Sequence, residues 1–373
     1  MPSLVSRTVT VRHPRDPMLR SVWLRNEAAR SGFDNNGTVC AGFDQVWLTA
    51  RRPTTLSFEQ LFRRHYAALR ELVHAHRAPG LALLVAGAER LEATAWMPAE
   101  EEGVNTVIVG RHSTAELFLP WDPALSLRHL AVIVRRGSDS ATSYRVLDLR
   151  TPTAFGDEQG HRLRALDSAG PTLVRCASFA LLLFPTDATS GEWPEDADAG
   201  WRRVPERVHL EAASADSESW SRPGGVVVRA APVWADARAT TSVVTFPGPV
   251  FLAPVSQVAR PAALDVGSAR GELLVSAPTG GGSLLLDAEA ARRGALIGRY
   301  ERCDGFGLPC LDNPALSRVH LLVVESEGAL WAIDTASKNG SWLGSERIRR
   351  TRLEAGRRLS LAGCVAVEWC PFH

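Results

Sequence analysis

Residues Ile333 to Ile348 read IDTASKNGSWLGSERI, and they hold the only lysine, Lys338, of a 373-residue chain. An apolar run, LWAID, leads into this stretch, and Asn339-Gly340 follows the lysine directly. Asn and Gly both tolerate φ > 0, so the pair between β-type residues predicts a tight turn. A turn alone carries no function; its meaning depends on what the rest of the chain folds beside it.

Working outward, the chain repeats itself. DPALSLRHLAVI (Asp122 to Ile133) matches NPALSRVHLLVV (Asn313 to Val324) without a gap, with Pro, Ala, Leu, Ser, His, Leu and Val in register. Upstream stand VIVGRH and ALIGRY; downstream stand YRVLDLRTPT and LWAIDTASKNGS. Three elements in the same order, twice, predict a duplicated module at residues 80–186 and 269–373.

Each copy is a series of short apolar runs broken by Gly, Pro and Asp. GLALLVAG, RLEATAWM and NTVIVG open the first copy; GELLVSA, GSLLLDA and GALIG open the second. SFALLLF and GCVAVEW close them. This pattern predicts a mainly β protein built from antiparallel sandwiches. Residues 1–79 form an N-terminal region with one amphipathic helix near 57–77, where Phe58, Leu61, Phe62, Leu69, Leu72 and Val73 share a face and Ser57 can cap the start. His65 and His74 are expected at its solvated side or edge, not as metal ligands. Residues 187–268 read as a polar linker with possible strands.

Composition limits the chemistry. Forty-two basic and forty-one acidic residues give a net charge of +1, which argues against nucleic-acid binding. Six scattered cysteines without a CxxC pair are expected to be reduced thiols. The chain opens without a signal-peptide pattern, and no apolar run reaches bilayer-spanning length. The expectation is a cytoplasmic protein without membrane insertion. Lys338 lacks the surroundings of a P-loop or kinase lysine, and no GxSxG, HExxH or GxGxxG occurs. A non-catalytic protein with no cofactor or metal is therefore expected. The tripeptide Asn36-Gly37-Thr38 precedes every repeated element and reads as a plain turn.

In the second copy the order Gly298-Arg299, then Ser317-Arg318-Val319-His320, then Asn339-Gly340-Ser341 resembles the forkhead-associated (FHA) domain family, whose hallmarks are GR, SxxH and NG[TS]. The resemblance implies an antiparallel β-sandwich whose loops at one end bind a phosphothreonine peptide. It assigns phosphopeptide contacts to Arg299, Ser317, Arg318, Lys338 and Asn339, and structural roles to Gly298, His320 and Gly340. The chemistry is sound on the residues: phosphothreonine offers nearly two charges and three acceptor oxygens, and an arginine fork can meet two of them. Lysine would add a point charge.

The first copy keeps Gly110-Arg111, Ser126 and His129, but Thr153-Ala154 stand where Asn-Gly should be. Its Arg128 falls one place later than Arg318, a shift that on a strand turns the side chain to the opposite face. It reads as a degenerate FHA-like module. The expected function is an adaptor for a phosphothreonine-containing protein, either a Ser/Thr kinase or its substrate. The alternative is a phosphate-independent scaffold using both sandwiches as interaction surfaces.

Overall fold

The computed structural model describes residues 10–13, 16–21, 56–137, 141–157, 162–188, 193–204, 207–211, 240–244 and 269–372. Cys40, the 36–38 tripeptide and most of residues 1–55 and 212–268 lie outside them. The chain divides into two compact units, the second comprising residues 222–225 and 247–373.

The second unit is a sandwich of two antiparallel sheets. One orders its strands Gly280–Asp287, Ala269–Ala277, Val365–Pro371, Arg358–Leu361, Ser341–Leu343 and Glu346–Ile348. The other orders Ala295–Ile297, Leu321–Ser326, Ala329–Asp334 and Arg350–Arg352. Inward side chains of both sheets, Leu273, Val275, Ile297, Leu321, Val323, Leu359 and Val367 among them, form one core. Period-two alternation delivers those residues to one face of each strand.

The first unit repeats this plan. Leu91–Pro98, Gly80–Ala86, Phe179–Thr186, Thr172–Cys176, Phe155–Gly156 and Arg162–Leu163 follow in the same spatial order, facing Asn105–Gly110, Leu130–Arg136, Thr142–Asp148 and Ala165–Ser168. Further strands extend it: Thr10–His13 and Asp16–Ser21 beyond Leu91–Pro98 in one sheet, and in the other Leu117–Phe118 at one edge, with Thr240–Val244 and then Arg207–Glu211 beyond Ala165–Ser168. The last two fall in the stretch expected to be a linker with possible strands.

The two sandwiches differ on the outer face of the larger sheet. Gly80–Ala86 is buried at every position: Leu81, Leu83 and Val85 enter the core, while Ala82, Leu84 and Ala86 lie under helix α1 (Phe58–Ala75). In the second unit, strand Ala269–Ala277 alternates, and Leu274 and Ser276 face solvent. The continuous apolar run of one strand and the alternating pattern of the other thus record a covered and a bare face.

Helix α1 starts as its sequence dictates. Ser57 Oγ accepts from Gln60 N–H at 3.1 Å, and the Gln60 side chain accepts from Ser57 N–H at 2.9 Å, a reciprocal capping box. The six apolar residues expected on its inner face are buried, joined by Tyr66. His65 departs from expectation: it is only 7% exposed, because its position lies beside the apolar face, and burial lowers its pKa. Residues 193–204, within the expected linker, also pack here. Trp193 and Trp201 bracket Phe62 at centroid distances of 6.5 and 5.2 Å, and Tyr66 Oη donates to Pro194 O at 2.6 Å. Trp201→Ala should cost the first unit about 2–3 kcal/mol, the usual scale for removing a partly buried aromatic. Hydrogen exchange resolved to peptides should show α1 losing protection; unchanged exchange would show that the tryptophan adds nothing.

Among the described residues no helix is long and apolar enough to cross a membrane, and no three potential metal ligands cluster. The five described cysteines are free thiols; Cys176, Cys303 and Cys310 are buried.

Candidate functional site

The NG turn does not close a hairpin. Strand Ala329–Asp334 pairs within the four-stranded sheet and Ser341–Leu343 within the six-stranded one, so residues 335–340 cross from one layer to the other. The positive φ values fall at Gly340 (80°) and Ala336 (59°), not at Asn339. Glycine suits the left-handed φ at 340, and an added Cβ would stand 2.6 Å from Arg347 Nε, so that side chain would have to shift.

Asp334 organises the crossing. Its carboxylate accepts from Ser337 N–H at 2.7 Å, Ser337 Oγ at 2.6 Å and Ser341 Oγ at 2.7 Å. Ser337 Oγ in turn accepts from Gly340 N–H at 3.0 Å. His320, fully buried, ties this loop to its neighbour: Nδ1 accepts from Ser317 N–H at 3.2 Å, so the ring proton sits on Nε2, which donates to Gly340 O at 3.1 Å. Through these two bonds His320 ties the loop at Ser317 to the turn at Gly340.

The sequence-assigned residues meet around 315–317. Arg299 N–H donates to Ser317 O at 3.3 Å and Arg299 Nε to Leu316 O at 3.0 Å. Lys338 N–H donates to Ser317 Oγ at 3.0 Å, and Asn339 Nδ2 to Ala315 O at 2.7 Å. A Cβ on Gly298 would sit 2.2 Å from Arg318 O, so glycine there permits the close approach that aligns the loops. The Arg299, Arg318, Lys338 and Asn339 side chains are exposed, while Ser317 is buried. Among the described residues, the Arg299 Nη groups, the Arg318 guanidinium and Lys338 Nζ have no hydrogen-bonded or ion-paired partner. The apex therefore presents three uncompensated cations beside a carboxamide whose oxygen is unused.

Sequence reasoning missed Asp334, Ser337 and Arg347. The first two carry a local signal, a carboxylate three residues before a serine, as in an Asx-type turn. Arg347 carries none, because it reaches the turn from the next strand, where Nη2 donates to Ser337 O at 3.2 Å.

The first unit reproduces part of this scaffold. Arg111 Nε donates to Leu125 O at 2.8 Å, His129 Nδ1 accepts from Ser126 N–H at 3.0 Å, and Thr151 Oγ1 donates to Asp148. Arg150 takes the positive φ of Ala336, and Thr153 Oγ1 donates weakly to Ala124 O at 3.4 Å where Asn339 reaches Ala315. The differences lie at the tip. Pro152 replaces Lys338 and removes both the charge and the N–H that Ser317 accepts; Leu127 replaces Arg318. Arg128 is 8% exposed, turned inward by its one-residue shift, although the segment is a turn and not a strand.

Two buried groups in this first apex titrate in opposite senses. Burial pushes Asp148 up to about 6, opposed by Arg164 and by hydrogen bonds from Thr151, and pushes His129 down to about 4. A raised carboxyl favours folding below its unfolded pKa of 3.8, and that stability is lost as pH rises through about 6. A lowered imidazole favours folding above 6.5, and that stability is lost as pH falls through about 4. Between about pH 4 and 6 these two contributions oppose each other. In His129→Gln the imidazole contribution is gone, so raising the pH across that window should cost the first unit stability relative to the native chain. Peptide-resolved thiol labelling of the buried Cys176 under urea reports on this unit; parallel pH profiles in both proteins would refute the pairing.

Residues 295–362 match the family model of the FHA domain. No curated protein matches the chain. Among solved structures, Rv1747 FHA-1 of Mycobacterium tuberculosis is 25% identical, with 27% of this chain and 98% of that one covered and a TM-score of 0.22. The FHA domain of CT664 from Chlamydia trachomatis is 19% identical, over 27% of this chain and 99% of that one, with a TM-score of 0.23. Mycobacterium tuberculosis EmbR, solved with a low-affinity phosphopeptide, is 23% identical over 28% of this chain and 26% of that one, with a TM-score of 0.23. With GR, SxxH and NGS assembled at one apex of a β-sandwich and the family model spanning them, residues 295–362 are an FHA domain.

Proposed function

We propose that the chain is a non-catalytic phosphothreonine-peptide-binding adaptor in Ser/Thr kinase signalling, acting through the C-terminal FHA domain. The observation that carries this reading is the set of cations at the second apex, held in place by backbone hydrogen bonds and lacking partners of their own. Arg299, fixed through Nε, turns its two Nη groups to the phosphate; Lys338 and Arg318 supply charge at its rim, and Ser317 adds a hydroxyl beside them. Asn339, tethered through Nδ2, offers its carboxamide oxygen to a peptide N–H. Each charge-assisted bond is worth about 1.5–3 kcal/mol, enough in combination for micromolar binding. The partner is a phosphothreonine-bearing kinase or kinase substrate.

The chain then divides functionally into an N-terminal region (1–79), a degenerate FHA-like sandwich (80–186), a connecting segment (187–268) and the reader (269–373). For the degenerate sandwich the scaffold reading is favoured: Pro152 and Leu127 leave its tip without the added charges, so Arg111, Ser126 and His129 serve the architecture.

Fluorescence anisotropy of the full chain against phosphothreonine, phosphoserine and unphosphorylated versions of a degenerate peptide library tests the proposal. Phosphothreonine-dependent binding is the expected result. Binding of all three alike would establish the scaffold reading instead.

A further inference from the structure

The apex carries a fourth cation that the family motif does not account for. Arg347 lies on strand Glu346–Ile348, opposite Trp342 in the pairing with Ser341–Leu343. Its Nη2 donates to Ser337 O at 3.2 Å, and its guanidinium lies against the Gly340 backbone, where a Cβ would stand 2.6 Å from Nε and 3.1 Å from Cζ. Trp342 Nε1 donates to Asn339 O at 3.1 Å on the same turn. The arginine is thereby held beside the Asn339-Gly340 peptide, with its side chain exposed. It forms no ion pair among the described residues, whereas Arg270 and Arg357 of the same unit pair with Glu325 and Glu354.

Charge then becomes informative. A phosphothreonine brings at most two negative charges, but Arg299, Arg318, Lys338 and Arg347 place four uncompensated positive charges at one apex. A ligand complementary to this surface carries further anionic groups, and Arg347, which reaches the turn from the next strand, is the cation left to receive them. We infer that Arg347 forms an acidic subsite of the FHA domain, so that the preferred ligand is a phosphothreonine peptide with an Asp or Glu close to the phosphorylated residue. The inference rests on the phosphothreonine reading and narrows its substrate class. The carboxylate pairs with Arg347 Nη1 while Nη2 keeps its bond to Ser337, so binding leaves the turn intact.

The test measures full-chain anisotropy against phosphothreonine peptides with Asp or Ala scanned through the flanking positions, in the native protein and in Arg347→Gln. Glutamine keeps an N–H donor for Ser337 O but removes the charge. Arg347→Glu serves as a second variant, with peptides carrying Lys in place of Asp. An Asp at one position should tighten binding about tenfold in the native chain and have no effect in Arg347→Gln. Peptides without acidic flanks should bind both proteins equally, and the Lys peptide should regain affinity in Arg347→Glu. If Arg347→Gln weakens every peptide alike, or if Asp acts equally in both proteins, Arg347 only supports the turn and the subsite is overturned. If no phosphothreonine peptide binds the native chain, the phosphothreonine reading itself fails and the subsite falls with it.

Discussion

Arg299→Ala should lower affinity for a phosphothreonine peptide by about a hundredfold or more while leaving the second unit folded. The side chain is exposed, so its removal uncovers no core. Its one protein bond, from Nε to Leu316 O, orients the guanidinium and leaves both Nη groups for a ligand. Two charge-assisted bonds to phosphate oxygens amount to about 3 kcal/mol or more, which converts to that factor. Arg299→Lys should recover only part of the loss, because an ammonium retains the charge without the planar fork. Anisotropy titrations of the three proteins decide the matter, with circular dichroism as the check on folding. Equal affinities in native protein and Arg299→Ala would remove phosphate recognition from this apex.

Asp334→Ala should destabilise the second unit by about 5 kcal/mol and abolish peptide binding along with it. One carboxylate accepts three hydrogen bonds, from Ser337 N–H, Ser337 Oγ and Ser341 Oγ, and both serines are fully buried. Removing the acceptor leaves those donors unsatisfied away from water, at about 1–3 kcal/mol each. Ser337 Oγ also positions Gly340 N–H, and Gly340 O receives the His320 proton, so the loss spreads to the loop that carries Lys338 and Asn339. Urea denaturation followed through hydrogen exchange of residues 269–372 measures the effect. Asp334→Asn keeps one acceptor oxygen and should fall between the two. A loss below about 1 kcal/mol in Asp334→Ala would show that the turn is held by its backbone alone.

Much of this arrangement is legible in the linear chain. The strands, the helix with its Ser57 cap and the two copies of the module follow from short-range periodicity, punctuation and self-similarity, all of which are local. The meeting of Gly298-Arg299 with Ser317 and Asn339 is implied by motif order once the family resemblance is seen. The degeneracy of the first apex is likewise readable, since Pro152 lacks an N–H whatever the fold.

What lay beyond the sequence depends on neighbours distant along the chain. His65 looks like an edge residue on a helical wheel, but a sheet packed against α1 buries it. The tryptophans at 193 and 201 sit in a polar, linker-like stretch, and only the apolar outer face of the first sandwich, with Phe62 between them, gives them a place. Arg347 is one of many arginines until strand pairing opposite Trp342 carries its guanidinium to Gly340. Local pattern thus determined the elements, their duplication and the candidate phosphate-binding residues. Tertiary structure decided which sheet face is covered, that residues 335–340 pass between layers, and which cations stay uncompensated, because pairing register and burial are properties of elements brought together.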